Sequence, residues 1–494
     1  MKSVYKAGLS VGAVVIAASL FIQPLAGQGG PPAAAGQAPG AGRGQGQGRG
    51  QGQGQGPGGG LGRGGPAVPS NLPTSPTAVT LPTMTEVTGP APMYDSAPSQ
   101  PAGKGLDFYK YQAKEYFISG TANGQPYKTR MVVRMPIDRA RFSGLVLMES
   151  MHGSGAAHMF EYTSMYTMNS GHAAVEVVTT ANTPGELTQM NAARYKEMVV
   201  ANNLQATDIL AQAGALVKSG APLGGTVPRK VILAGTSQTA GILINYLPAH
   251  AVYRTPKMER IFDGYMPTSN GSTINLELDV PIVHVPTMQE VSGQTITWHQ
   301  DSDDPGKQYR IYEFPGMAHV DTRDAARMVP NPCALPLSTY PLQAYMSVAL
   351  NHLFAWVDKG VVPPHADRIW LDRNEADGSP MALDETGNPR GGVRSPYVDV
   401  PVVKYKIRPA VANPFPANPS AWMKANGNEK GAGLMCGLSA SQTALSKDEL
   451  KKRYKNKKNY QSLVEKRVAE LEKAGWSLPM YRELILSDAA KVDF

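Results

Sequence analysis

Short, nearly unbroken apolar runs constrain this chain more than anything else in it: GLVLM at 144–148, KVILA at 230–234 and VPIVHV at 280–285. Runs of that length without polar alternation suit strands buried on both faces. Helical spacing fills the intervals. Asn203–Lys218 repeats apolar residues at Leu204, Ile209, Leu210, Ala213, Leu216 and Val217, and Thr239–Leu247 and Leu342–Trp356 read as further helices. Ala173–Val178, Arg260–Tyr265 and Tyr309–Phe314 complete the expected inner strands. Strands alternating with helices imply an α/β fold, a mostly parallel sheet covered on both faces. Ahead of it, Tyr116–Gly120 and Tyr127–Met135 flank the turn signal Asn123-Gly124 and read as an antiparallel hairpin at the sheet edge. Order is expected from about residue 105.

The flanks are of a different kind. Residues 1–27 have two lysines, then the apolar run AGLSVGAVVIAASLFI, then small residues at Ala26 and Gly27. That is the layout of a cleaved secretory signal peptide, and it implies a secreted or periplasmic protein. A single membrane anchor is the other reading of the same run; no later segment is apolar enough to span, so no stable membrane span is expected after cleavage. Residues 28–80 are rich in Gly, Gln, Pro and Ala and read as a disordered linker. The net charge of +8 resides partly in that linker (Arg43, Arg49, Arg63) and partly in Lys447–Lys458 on an exposed helix, with no basic patch interleaved with aromatics. Nucleic acid is therefore not an expected partner. The two cysteines, Cys333 and Cys436, suit one disulfide in an oxidising compartment, two unpaired buried thiols being the alternative. No second Cys or His stands at ligand spacing from either, so no metal is expected.

After residue 361 the chain turns to Pro-, Gly- and Asp-rich stretches, expected to be ordered loops over the sheet. Helical spacing returns after Ser446, which stands three residues before Glu449 in a capping box, and the run Leu484–Leu486 is expected to pack the end of the chain down. The division expected is a sheet-and-helix domain over 81–410 and a C-terminal extension over 411–494.

The chemistry concentrates in Gly235-Thr236-Ser237-Gln238-Thr239. Of four Gly-x-Ser triplets, only the one ending at Ser237 lies between a buried strand and a helix. A sharp strand-to-helix turn lifts a serine hydroxyl off the sheet as a nucleophile, and the glycine two residues earlier lets strand and helix approach. Thr239 departs from that pattern, which usually has glycine there. Downstream, the order expected of such a site is acid and then histidine, each after a later strand. Glu290 follows VPIVHV, and His319 follows YRIYEF in the loop Pro315-Gly316-Met317-Ala318-His319. Asp301, Asp303 and Asp304 are alternatives for the acid. Oxyanion donors are expected from the backbone of Gln238 and from Gly153 or Ser154 in the loop after GLVLM, with His152 a candidate substrate contact. No cofactor is required.

With these residues in view the chain resembles a bacterial α/β-hydrolase-domain family of the G-x-S-Q-[ST] type. The likeness covers roughly residues 105–490 and includes GTSQT, VPTMQEV, WHQDSDDPGKQYRIYEFPGMAHVD, WVDKGVVPP and DETGNPRGGVRSPYVDVPVVKY. It implies the α/β-hydrolase fold, Ser237 as nucleophile and His319 as base, and is consistent with Glu290 as acid. Relatives tend to have Asn in the loop where this chain has His152. Only about eleven residues separate Thr268 from Val280, so the usual lid insertion is nearly empty and the loops after 361 are expected to roof the pocket. The expected activity is hydrolysis of a small-molecule or polymer-derived ester through an acyl-enzyme. An amidase or peptidase on the same residues, or a non-catalytic binding protein on the same scaffold, are the rival readings.

Overall fold

The computed structural model describes residues 72–101, 103–293, 299–323, 325, 328–372 and 380–494; the expected signal peptide and the linker up to residue 71 lie outside the described residues. Its strands are β1 (Thr77–Ala78), β2 (Thr83–Glu86), β3 (Tyr111–Ala122), β4 (Gln125–Pro136), β5 (Leu145–Ser150), β6 (Ala173–Val177), β7 (Lys230–Thr236), β8 (Tyr253–Arg254), β9 (Gly264–Thr268), β10 (Ile282–His284), β11 (Tyr309–Ile311), β12 (Val403–Ile407) and β13 (Ala440–Ala444). Among the described residues nine of them form one sheet in the order β11-β10-β9-β7-β5-β6-β4-β3-β2. The six from β11 to β6 run parallel, and β4, β3 and β2 add an antiparallel edge. The expected α/β architecture is present. β3 and β4 pair from Ala122↔Gln125 outward, and Asn123 and Gly124 both adopt positive φ, as a two-residue hairpin turn of matching twist requires.

Side chains alternate across the central strands and make two cores. Val146, Met148, Val231 and Leu233 face one side with Ile209, Leu210 and Ala213 of α2 (Ala206–Lys218) and Ile242 and Leu243 of α3 (Gln238–Tyr246). Leu145, Leu147, Ile232 and Ala234 face the other, against Met159, Tyr162 and Met165 of α1 (His158–Asn169) and Met346, Ala349 and Leu353 of α4 (Leu342–Lys359). That two-sided burial is what the unbroken apolar runs encode.

Several expectations are corrected. Regular structure is already present well before 105: Thr77–Ala78, expected within the linker, pairs with Tyr253–Arg254, and β2 pairs with β3. The segment between β2 and β3 is held by polar contacts that leave no apolar pattern, including Arg194 donating to the carbonyls of Val87 and Ala91. Helix α1 was not expected; it is buried on nearly every side, so no amphipathic period marks it. The strand expected at 260–265 runs instead from 264 to 268, because Ile261 and Phe262 pack beneath the sheet against Gly214 of α2. The strand expected at 309–314 ends at 311.

The C-terminal region is continuous with the rest. β12 and β13, on either side of the expected boundary at 410, pair with each other. Ser446 and Glu449 form the expected capping box, and Ile485 is buried in a cluster with Tyr460, Val464 and Val468. Cys333 and Cys436 are joined in a disulfide across 103 residues. A cross-link closing a loop that long restricts the unfolded chain strongly. Cys436→Ala should therefore lower the unfolding free energy in urea by about 2–5 kcal/mol, and reduced wild type should fall to the same value. An unchanged midpoint would contradict the bridge.

Candidate active site

Helix α3 returns over β7 so closely that a Cβ on Gly235 would lie 2.4 Å from the carbonyl oxygen of Thr239. Only glycine fits there. Ser237, between them, takes φ 55° and ψ −117°, outside the regions open to most L-residues. Thr239 fits where glycine is usual because its hydroxyl accepts the N–H of Thr236 and donates to the Thr236 carbonyl, both at 2.9 Å. The N–H of Ser237 donates to Thr268 at the end of β9, and the Asn270 amide donates to the Ser237 carbonyl at 3.2 Å. The turn is thus gripped from three sides.

The residues picked from the sequence meet at the C-terminal ends of the parallel strands. The Ser237 hydroxyl lies 2.8 Å from His319 Nε2, and His319 Nδ1 lies 2.6 Å from Glu290 Oε1. The other Glu290 oxygen accepts the N–H of Thr287 at 2.9 Å and its hydroxyl at 2.5 Å. Burial alone would raise the Glu290 pKa. The His319 imidazole and the Thr287 donors outweigh that and hold the carboxyl below its ordinary 4.5. The alternative acids lie elsewhere: Asp301 accepts the N–H of Ile311, Asp303 pairs with Arg310, and Asp304 with Lys307.

Sequence reasoning missed Gln289. Its side-chain oxygen accepts the N–H of His319 at 2.9 Å, while its side-chain amide nitrogen donates to the carbonyls of Leu438 and Ser439. His319 is therefore oriented partly by the C-terminal region, which reaches the site here as well as through Arg408, donor to the backbone carbonyl of Gln289. Neither contact is signalled locally, since both partners lie more than a hundred residues away.

The proposed oxyanion donors separate. The N–H of Gln238 donates to nothing among the described residues, at the first turn of α3, where the helix dipole favours negative charge. The N–H of Gly153, by contrast, donates to the side-chain oxygen of Gln238 at 2.9 Å, and that of Ser154 to Nδ1 of His152 at 3.0 Å. Both lie beside the elbow, but neither is open in this state. His152 stands next to that contact, half-exposed. Among the described residues no group of three or more His, Cys, Asp or Glu is placed to hold a metal ion, and no helix is long and apolar enough to cross a membrane.

A mixed sheet whose central strand turns through a strained serine into a helix, with an acid and a histidine following on later strands, defines the α/β-hydrolase class. The chain belongs to the alpha/beta hydrolase domain family, whose model matches residues 85–487. No curated protein matches it. Among solved structures it is similar to a protein assigned as a dienelactone hydrolase from Klebsiella pneumoniae (11% identity, 50% of this chain and 99% of that one, TM-score 0.30). It is also similar to a cold-adapted esterase from an Arctic intertidal metagenomic library (13%, 41% and 84%, 0.24) and a thermostable esterase from Pseudomonas putida (11%, 38% and 67%, 0.25). At these scores the likeness carries no argument about activity.

The lowered Glu290 pKa has a consequence for stability. The carboxylate's contribution is complete above its unfolded value near 4.5 and is lost as pH falls through the lower folded value. The stability difference between wild type and Glu290→Gln, measured by denaturant unfolding, should therefore narrow from about pH 7 to about pH 3. A difference that widens on acidification would contradict the ionised assignment.

Proposed function

We propose that the protein is an exported serine hydrolase that cleaves carboxylic esters through an acyl-enzyme. The observation that carries this reading is the chain of contacts from Ser237 Oγ to His319 Nε2 at 2.8 Å and from His319 Nδ1 to Glu290 at 2.6 Å. His319 takes the hydroxyl proton as Ser237 Oγ bonds to the carbonyl carbon, and the oxyanion that forms is held by the N–H of Gln238. Glu290 keeps the imidazole in the tautomer that can accept at Nε2 and stabilises the imidazolium. His319 then delivers the proton to the departing alkoxide as the C–O bond breaks. A water, deprotonated by the same imidazole, releases the acid and restores Ser237.

Export is supported by the basic-then-apolar start of the chain and is compatible with the Cys333–Cys436 bridge, since disulfides persist in oxidising compartments. Recombinant protein recovered from a bacterial periplasm should have a mature mass starting near residue 28; an intact Met1 start in that fraction would oppose cleavage.

The test of the nucleophile is labelling by a fluorophosphonate. Wild type should label, and Ser237→Ala should not while keeping its melting temperature. Folded wild type that fails to label would favour a binding role on this scaffold. Turnover of a matched ester and amide pair separates esterase from amidase, and comparable rates on the two would count against the ester assignment.

A further inference from the structure

The disulfide lies in a small core of its own. Met328, Cys333, Met423, Ala432, Met435 and Cys436 bury one another apart from the two cores of the sheet, the cysteines 4% and 1% exposed. Val320, the residue after His319, packs against this cluster. So small a set of apolar contacts holds its segment weakly, and such segments open locally unless something else ties them.

Two routes lead from the bridge to the histidine. On one side the helix Glu429–Leu438 ends just past Cys436, whose carbonyl accepts the N–H of Ser439 at 3.2 Å. The carbonyls of Leu438 and Ser439 each accept the Gln289 side-chain amide at 2.9 Å, and that of Leu438 also accepts the N–H of Val320 at 3.3 Å. On the other side the chain around Cys333 is tied to 410–412: Ala334 N–H donates to Ala410 and Ala412 N–H to Pro332, both at 2.8 Å. Arg408, just before that segment, donates its own N–H to the same Ser439 carbonyl at 3.0 Å and its guanidinium to the backbone carbonyl of Gln289 at 2.9 Å. Both cysteines thus lead to one node, Ser439 with Gln289, and the Gln289 side-chain oxygen holds the N–H of His319.

We propose that Gln289 is a positioning residue for His319 and that the Cys333–Cys436 bridge is the clamp it works from, so that full turnover requires the oxidised protein. The proposal rests on the serine-hydrolase reading and adds a redox control to it. The bridge forms by exchange with a disulfide oxidant: the two thiols lose two electrons and two protons, the Cys333–Cys436 S–S bond forms, and the oxidant's S–S bond breaks to two thiols. Where thiols stay reduced the histidine loop lacks its clamp, so an exported chain becomes fully active only in the oxidising compartment. A misplacement of about 1 Å caused by a distant change can cost about 100-fold in rate, and a base loosened rather than displaced should cost about 10-fold.

The experiment measures p-nitrophenyl acetate turnover by the full mature chain in four forms: oxidised wild type, Cys333→Ala with Cys436→Ala, Gln289→Leu, and all three substitutions together, each checked for a cooperative unfolding transition. The cysteine variant and Gln289→Leu should each lower kcat by about 10-fold with KM within about twofold. Because both act through one node, the triple variant should lie within about twofold of either. Wild type reduced with dithiothreitol should match the cysteine variant, and reoxidation should restore its kcat. A triple variant down by about 100-fold would mean two independent effects and would overturn the coupling. A folded cysteine variant that keeps kcat within about twofold of wild type would overturn the clamp. Gln289→Leu keeps the bridge, so unchanged turnover there sinks the proposal even if the cysteine variant does not fold. Fluorophosphonate labelling separates this from the reading beneath it: oxidised wild type that does not label at Ser237 removes that reading instead.

Discussion

Everything at the strand ends depends on how closely α3 lies against β7. The crossing is set by the missing side chain at Gly235, where a single methyl group would meet the carbonyl of Thr239 at 2.4 Å. The approach forces Ser237 into its positive φ, a conformation that costs about 1–3 kcal/mol and persists only where the surroundings over-determine it. They do so through Thr239, through Thr268 and through Asn270. Asn270 is held in turn: its backbone carbonyl receives Nε2–H of His284, whose Nδ1 accepts the Tyr309 hydroxyl at 2.9 Å. Burial keeps that histidine neutral by pushing its pKa down to about 4. A hydrogen-bonded line thus crosses from β11 through β10 and β9 to the elbow.

The readable parts of this arrangement were those encoded in local pattern. VILA followed by GTSQT states a buried strand, a tight turn and a helix start in nine residues, and Glu290 and His319 could be singled out as neighbours of Ser237 because each follows an apolar run in the expected order. Thr239 looked like a departure and proved to be a brace, because nothing in the sequence says that its hydroxyl finds both ends of the Thr236 peptide environment. The pairing of the backbone N–H groups of Gly153 and Ser154 could not be read either. Glycines in the β5 loop signal backbone freedom, but whether their N–H groups face substrate or other side chains depends on where Gln238 points. Helix α1 left no period because it is surrounded.

The stretch before β3 was illegible for a different reason: polar groups hold it. Arg130, Arg134 and Arg194, with Glu115 and Glu176, form a buried ionic cluster under the antiparallel edge. Arg130 donates to the carbonyl of Tyr94 and Arg134 to the Ser96 hydroxyl, which itself donates to Glu176. Charges taken out of water are costly unless fully paired and hydrogen-bonded. The segment carrying Tyr94 and Ser96 supplies the last partners, so it is ordered by the cluster's need. The same segment provides Ser99, whose N–H backs Glu161 beneath the β5 loop.

The C-terminal region meets the site by an analogous route. Gln289 sits between the carbonyls of Leu438 and Ser439 and the N–H of His319, so the position of His319 is shared between the strand that precedes it and a helix end more than a hundred residues later. Leu438 ends the helix that carries Cys436, and Cys436 is bonded to Cys333, fourteen positions beyond His319. Helix, disulfide and Gln289 therefore close a ring around the histidine loop. A region that looked like an appendage in composition thus bears directly on the histidine loop.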